Sequence, residues 1–237
     1  MERIWATHLG QMAYRPAWNL QEHLHQHLWE CQRQGKVPST HFFLTVEHPH
    51  VYTLGKSGHI QNLLVNEQRL MERGIEFYRT NRGGDITYHG PGQLVGYPIL
   101  DLTRWRRDVR WYMRMIEQVI IDALAEWGIK AGRIEGLTGV WVNIDRPHRA
   151  RKICAMGVRI SRWITMHGFA LNVNTDLQYF QLIIPCGIAN KEVTSMAREL
   201  GRTIDFDKVR QRVAYHLARH FEAQLQWHPN LPEWAPC

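Results

Sequence analysis

Three strand-like runs crowd the second half of the chain: TGVWVNI (138–144), ARKICAMGVRI (150–160) and TMHGFALNVN (165–174). Short turns join them, which argues against strict βαβ alternation and for strands that neighbour one another. NIDRPHRARK, between the first two, reads as an exposed hairpin tip. Helical periodicity governs other stretches. Leu20, Leu24, Leu28 and Cys31 mark an amphipathic helix within 16–36, and Cys31 on its stripe reads as core filler. Trp105, Val109, Tyr112, Ile116, Val119, Ala123 and Trp127 mark a longer helix from Thr103 to Gly128. EQRLMERG is a short helix closed by Gly74, and helices are predicted over 190–201 and 206–225, the second capped by Asp205. Further strands are predicted at 41–48, 51–55, 75–80 and 93–102. The order predicts an α/β (α+β) single domain over 1–225, with a mixed, largely antiparallel sheet flanked by helices. Residues 226–237 read as an irregular tail. With 237 residues, 44% of them hydrophobic, the chain suits one core better than two.

No apolar run approaches the roughly 20 residues of a membrane helix, and the first residues carry no continuous apolar segment. A cytoplasmic protein is expected. The net charge of +7 suits an anionic partner. The basic residues are scattered, however; the densest cluster, RWRRDVR (104–110), opens a helix, and no nucleic-acid motif is present. The four cysteines (Cys31, Cys154, Cys186, Cys237) form no CxxC pair and no zinc spacing, so reduced thiols and no metal are expected. His23, His25, His27, His48 and His50 read as surface residues.

Three segments hold candidate chemistry. RGGDITYHGPG (82–92) packs four glycines, an arginine and a histidine into eleven residues. It lacks the lysine of a P-loop and the G-x-G-x-x-G spacing, so it reads as a ligand cradle or as a tight turn. In LIIPCGIANKEVTS (182–195), Cys186 stands between a strand-like run and a helix, either a reactive thiol or a buried structural one. In 150–160, Lys152 interrupts an apolar strand, and alternation places it on the same face as Cys154. Locally the plainer reading is an edge lysine; a partly buried one could serve as base or as thiolate counter-ion.

Taken in order, EHPHVYTLGK (47–56), RGGDITYHGPGQLVGYPI (82–99), RKICAMGVRI with MHGFALNVN (151–174) and IIPCGI (183–188) resemble the lipoyl(octanoyl) transferase family over about residues 45–200. The resemblance implies the fold of biotin and lipoate protein ligases. It implies transfer of octanoyl (or lipoyl) from acyl carrier protein to a lysine of lipoyl domains, in 2-oxoacid dehydrogenase complexes and the glycine cleavage H protein. This is the first step of endogenous protein lipoylation, and it uses no cofactor. Cys186 matches the family's acyl-thioester nucleophile, and Lys152 matches the lysine that tunes it. The segments lining the acyl pocket match Arg82, Gly83, Gly84, Asp85, Ile86, Thr87, Tyr88 and His89, then Ala155, Met156 and Gly157, then Gly168, Phe169 and Ala170. The oxyanion hole would draw on backbone N–H groups near Gly187 or Gly83–Gly84. His50 stands where the family often has proline, and Cys154 where a non-thiol residue is expected. No nucleic acid, no membrane and a monomer are expected. The alternative on the same fold is an ATP-dependent lipoate or biotin ligase, which needs no cysteine.

Overall fold

The structure is a computed structural model that describes residues 1–38, 40–184 and 192–229. Twelve strands and five α-helices run in the order β1 (Glu2–Gln11), α1 (Tyr14–Arg33), β2 (Thr40–Glu47), β3 (Val51–Leu54), α2 (Glu67–Glu72), β4 (Glu76–Arg79), β5 (Ile86–His89), β6 (Gln93–Ile99), α3 (Val109–Ala125), β7 (Ala131–Ile134), β8 (Leu137–Val142), β9 (Arg151–Ser161), β10 (Ile164–Asn172), β11 (Glu192–Val193), α4 (Met196–Leu200), α5 (Phe206–His220) and β12 (Ala223–Trp227). The large sheet has the order β12-β1-β2-β6-β10-β9-β8-β7, with β11 added beside β9; β4-β3-β5 form a small second sheet. Of the ten pairings among the described residues, six are antiparallel. The mixed, largely antiparallel sheet is as the sequence predicts.

Both faces of the central strands are covered. On β2, Phe42, Leu44 and Val46 pack with Leu24 and Leu28 of α1, while Phe43 joins the core built with α3 and α5. The period-2 geometry of a strand sends alternate residues to opposite faces, so a strand roofed on both sides reads as a continuous apolar run. β2 is buried throughout except at Glu47.

Four expectations need correction. α3 begins at Val109, because Asp101 caps a short 3₁₀ turn and Asp108 then caps the helix by accepting from the Trp111 N–H at 2.9 Å. The last helix stops at His220: Glu222 takes a left-handed φ of 48°, and β12 follows, pairing parallel with β1. Within 192–201 a two-residue strand precedes α4, which starts where Ser195 caps the Arg198 N–H. Cys31 is buried on the inward face of α1 and is disulfide-bonded, not a thiol. The Asp205 cap is present, accepting from the Lys208 N–H at 3.0 Å. Among the described residues no helix is long and apolar enough to cross a membrane.

Candidate active site

The glycine loop lies across β9. Gly83 donates its N–H to Val158 O (2.9 Å), and Lys56 donates its own to Arg82 O (2.9 Å). The Arg82 guanidinium is buried and donates through Nη2 to Thr53 O (2.6 Å) and Thr53 Oγ1 (2.9 Å). Asp85 accepts from the Ile86 N–H (2.6 Å) and from Asn62 Nδ2 (2.5 Å), tying the loop to residues 59–62. The close approach rests on Gly157, where a Cβ would stand 2.7 Å from Gly83 O. The atom it would meet is backbone rather than a flexible side-chain end, so the loop itself has to shift. Gly157→Ala is therefore expected to lift the loop and cut acyl-group binding at least about tenfold, while a destabilisation of about 1–3 kcal/mol leaves the protein folded. Titration of a non-hydrolysable octanoyl thioether against both proteins measures this; equal affinity would remove the loop contact from the pocket.

Beneath the loop is a cavity with about 500 Å³ of space, its open mouth included. Of the residues that the sequence nominated, Arg82, Gly84, Asp85, Ile86, Thr87 and His89 line one wall. Ala155, Met156 and Gly157 of β9, with Gly168, Phe169 and Ala170 of β10, line the other. These two strands pair Gly168 with Gly157 and Phe169 with Met156, which brings the two segments together. Two nominated residues fall elsewhere. Gly83 faces the adjoining cleft, and its engaged N–H removes it from the oxyanion candidates. Tyr88 turns away into the small-sheet core, where it stacks on Tyr179 and its hydroxyl meets His50 Nδ1 at 2.7 Å.

Tyr14, Val95, Tyr97 and His167 also line the cavity and were not nominated. His167 and Tyr97 sit inside the quoted blocks; Tyr14 comes from α1, where no local pattern marks it. The end that they form is polar but uncharged. Burial first, then electrostatic repulsion involving His48 and the Arg82 guanidinium, hold His89 well below the ordinary histidine range. His89 meets Gln93 Oε1 at 2.8 Å and Thr53 Oγ1 at 3.3 Å. Burial pushes His167 down to about 3 and His48 down to about 4. His167 also holds a left-handed φ of 58° and meets Asn81 Oδ1 at 2.7 Å. His48 is fully buried against Tyr97 OH (2.7 Å) and His25 is buried near Ser161 O (3.3 Å), which corrects the reading of both as surface residues.

Lys152 lines the cleft next to this cavity, together with Met113, Thr138 and Met156. It is 7% exposed, and its Nζ sits 4.7 Å from the centre of the Trp141 ring, the residue that faces it across β8 and β9. An aromatic face at this distance attracts the ammonium and restrains its position. The floor beside it is set by Gly139, at φ 111°, whose N–H donates to buried Glu117 (3.1 Å). The ladder slips between Val140 and Trp141: these neighbours on β8 face Cys154 and Lys152, which are two residues apart on β9. Simple alternation therefore does not place Lys152 and Cys154 together. Cys154 is sealed in the main core, and burial pushes its thiol well above the ordinary range. Its sulfur is out of reach of solvent.

Cys186 lies outside the described residues, as does Gly187. The chain on either side is placed. Ile184 donates its N–H to Asn62 O (2.8 Å), and after the gap Val193 pairs with Lys152 while the Thr194 N–H donates to Lys152 O (2.9 Å). Both flanks border the cleft that Asn62 and Lys152 line.

Residues 13–218 match the lipoyl protein ligase A/B catalytic domain. The chain is 52% identical over 230 residues to an octanoyltransferase of Flavobacterium johnsoniae, covering 94% of this chain and 99% of that protein. It is 53% identical over 217 residues to an octanoyltransferase of Solibacter usitatus, covering 92% of each. Among solved structures, a bipartite lipoate protein ligase from Thermoplasma acidophilum superposes with a TM-score of 0.71 at 15% identity, over 98% of this chain and 89% of that one. Lipoate-protein ligase A bound with ATP gives 0.68 at 16%, over 98% and 90%. At such identities the solved structures speak for the fold alone. The family match spans most of the sequence and the relatives align nearly end to end, so the chain belongs to the octanoyltransferases of the lipoyl protein ligase A/B catalytic family.

Proposed function

We propose that the chain transfers an octanoyl group from acyl carrier protein to a lysine of a lipoyl domain, through a thioester on Cys186. The observation that carries this reading is the setting of Lys152: buried beside a glycine-floored cavity, over the Trp141 ring, and paired with the strand that leaves segment 185–191. The Cys186 thiolate attacks the donor carbonyl carbon. The new C–S bond replaces that of the carrier, whose departing thiolate takes a proton from the Lys152 ammonium. Exchange of one thioester for another costs little free energy, so ATP is not needed. The acceptor amine then attacks the acyl-enzyme; neutral Lys152 accepts the amine proton and the Cys186 thiolate is released beside a restored ammonium. Amide formation from a thioester is downhill, and splitting the transfer predicts ping-pong kinetics. Among the described residues the cavity walls are largely apolar, with Arg82 and Asp85 at the loop, which suits an aliphatic tail. The net charge of +7 favours encounter with acidic carrier and lipoyl domains. The ATP-dependent alternative is not favoured, because the relatives at about half identity are octanoyltransferases.

Intact mass spectrometry after mixing with octanoyl-acyl carrier protein, without nucleotide, tests the reading. One octanoyl adduct, labile to hydroxylamine and mapping to Cys186, is expected. An adduct on Cys154, or acylation only when ATP and free octanoate are supplied, would overturn it.

A further inference from the structure

α3 and α5 pack against each other over the main core, and towards the C-terminal end of each they set two pairs of side chains face to face. Asp122 lies in the last turn of α3 with Glu126, the C-cap, four residues on, and His216 and His220 are one turn apart on α5, so each pair lies on one side of its helix. His220 Nε2 lies 2.7 Å from Asp122 Oδ2, and His216 Nε2 lies 2.6 Å from Glu126 Oε1. One ligand-type atom from each of Asp122, His216 and His220 falls within 4.8 Å of the other two. None of these residues lines the acyl cavity or the Lys152 cleft.

We propose that Asp122, His216 and His220 bind one divalent transition-metal ion of the zinc class, clamping α3 to α5. Two imidazoles and a carboxylate are the donor set that zinc and its neighbours take, whereas magnesium and calcium prefer all-oxygen sites. Three protein ligands leave a fourth position for water. Partners that orient ligands are already in place. Gln118 Nε2 donates to Asp122 Oδ1 at 2.7 Å, leaving Oδ2 towards His220. Glu126 is held by Arg212 through two contacts of 2.6 Å and itself grips His216 Nε2. The other ring nitrogen of His216, Nδ1, is buried without a hydrogen-bond partner among the described residues. A carboxylate on one imidazole nitrogen with the other presented as a lone pair is the arrangement that supports metal-bound histidine. Zinc–ligand bonds of about 2.0–2.2 Å put neighbouring ligand atoms about 3.3 Å apart. The His220–Asp122 pair then opens by roughly half an ångström to admit the ion, and the proton that the pair shares leaves to solvent.

Zinc chloride alone is the probe. At a hundredfold excess over its dissociation constant it is expected to raise the unfolding midpoint of the chelator-treated wild-type chain by about 5–10 °C. Calorimetry should give one tight ion per chain, and X-ray absorption a nitrogen and oxygen shell at about 2.0–2.1 Å with two imidazoles. His220→Gln should lose at least about a hundredfold in affinity and most of the zinc-dependent shift. Asp122→Asn gives an independent second reading should His220→Gln fold poorly. His23→Gln, which breaks the other one-turn histidine pair on α1, should leave binding intact. Zinc responses equal in wild type, His220→Gln and Asp122→Asn, or no response in wild type, would overturn the site. So would loss of binding in His23→Gln.

Discussion

Cys186→Ala is expected to lower octanoyl transfer by about 10³–10⁶-fold, with no acyl-enzyme at any time after mixing. Removal of a nucleophile leaves only what binding and orientation contribute, and losses in that range follow in hydrolases that use covalent intermediates. Quenched-flow transfer to a lipoyl domain, followed by mass, measures both the rate and the intermediate. Cys186→Ser supplies the contrast: a hydroxyl is far less ionised than a thiol, so any acyl-serine forms slowly and its ester persists. Cys154→Ala is the control. Its thiol is fully buried in the main core, so the change costs stability through a small cavity and leaves the rate of acylation within a few-fold of wild type. Transfer by Cys186→Ala within tenfold of wild type would end the thioester route. Direct attack of the acceptor on the carrier thioester would replace it.

The second large effect is expected at Lys152. Lys152→Ala should reduce transfer by about 10²–10⁴-fold, the usual contribution of a positioned proton carrier. The pH profile separates this from mere loss of packing. Without the ammonium, the Cys186 thiol reverts towards the ordinary value near 8.5, so acylation by the variant should climb with pH until the thiolate forms. Wild-type acylation should be flatter over the same range. Lys152→Met keeps much of the stem that lies against Trp141, and should share the kinetic defect while keeping the fold. A variant with a normal rate and an unchanged profile would take Lys152 out of the chemistry.

Much of the cavity was legible because its walls are contiguous in sequence. One comes from a loop and β5, the other from two strands that pair through a tight turn at Arg162 and Trp163, both at positive φ. What was not legible came from register and from distant packing. Tyr88 lies within a nominated run, yet strand alternation sends Thr87 and His89 to the cavity and Tyr88 to the small-sheet core. Lys152 and Cys154 looked co-facial until the ladder slipped by one residue opposite Val140 and Trp141. Tyr14 reaches the cavity only because α1 lies over β6 and β10, a placement that no local pattern encodes. β1 and β12 escaped notice for a related reason: each is stabilised by a partner at the far end of the sequence.

That last pairing has a consequence for biosynthesis. Glu2 pairs with Ala223 and Ala6 with Trp227, so β1 leaves the ribosome well ahead of its outer partner. Until then one row of β1 backbone donors and acceptors is open, although β2 already covers the other side. Closing so long a loop is entropically slow, and an open strand edge is where nascent chains join to one another. This side of the sheet is therefore sealed only once β12 has been made, and the interval before β12 arrives is when a growing copy is most exposed to self-association.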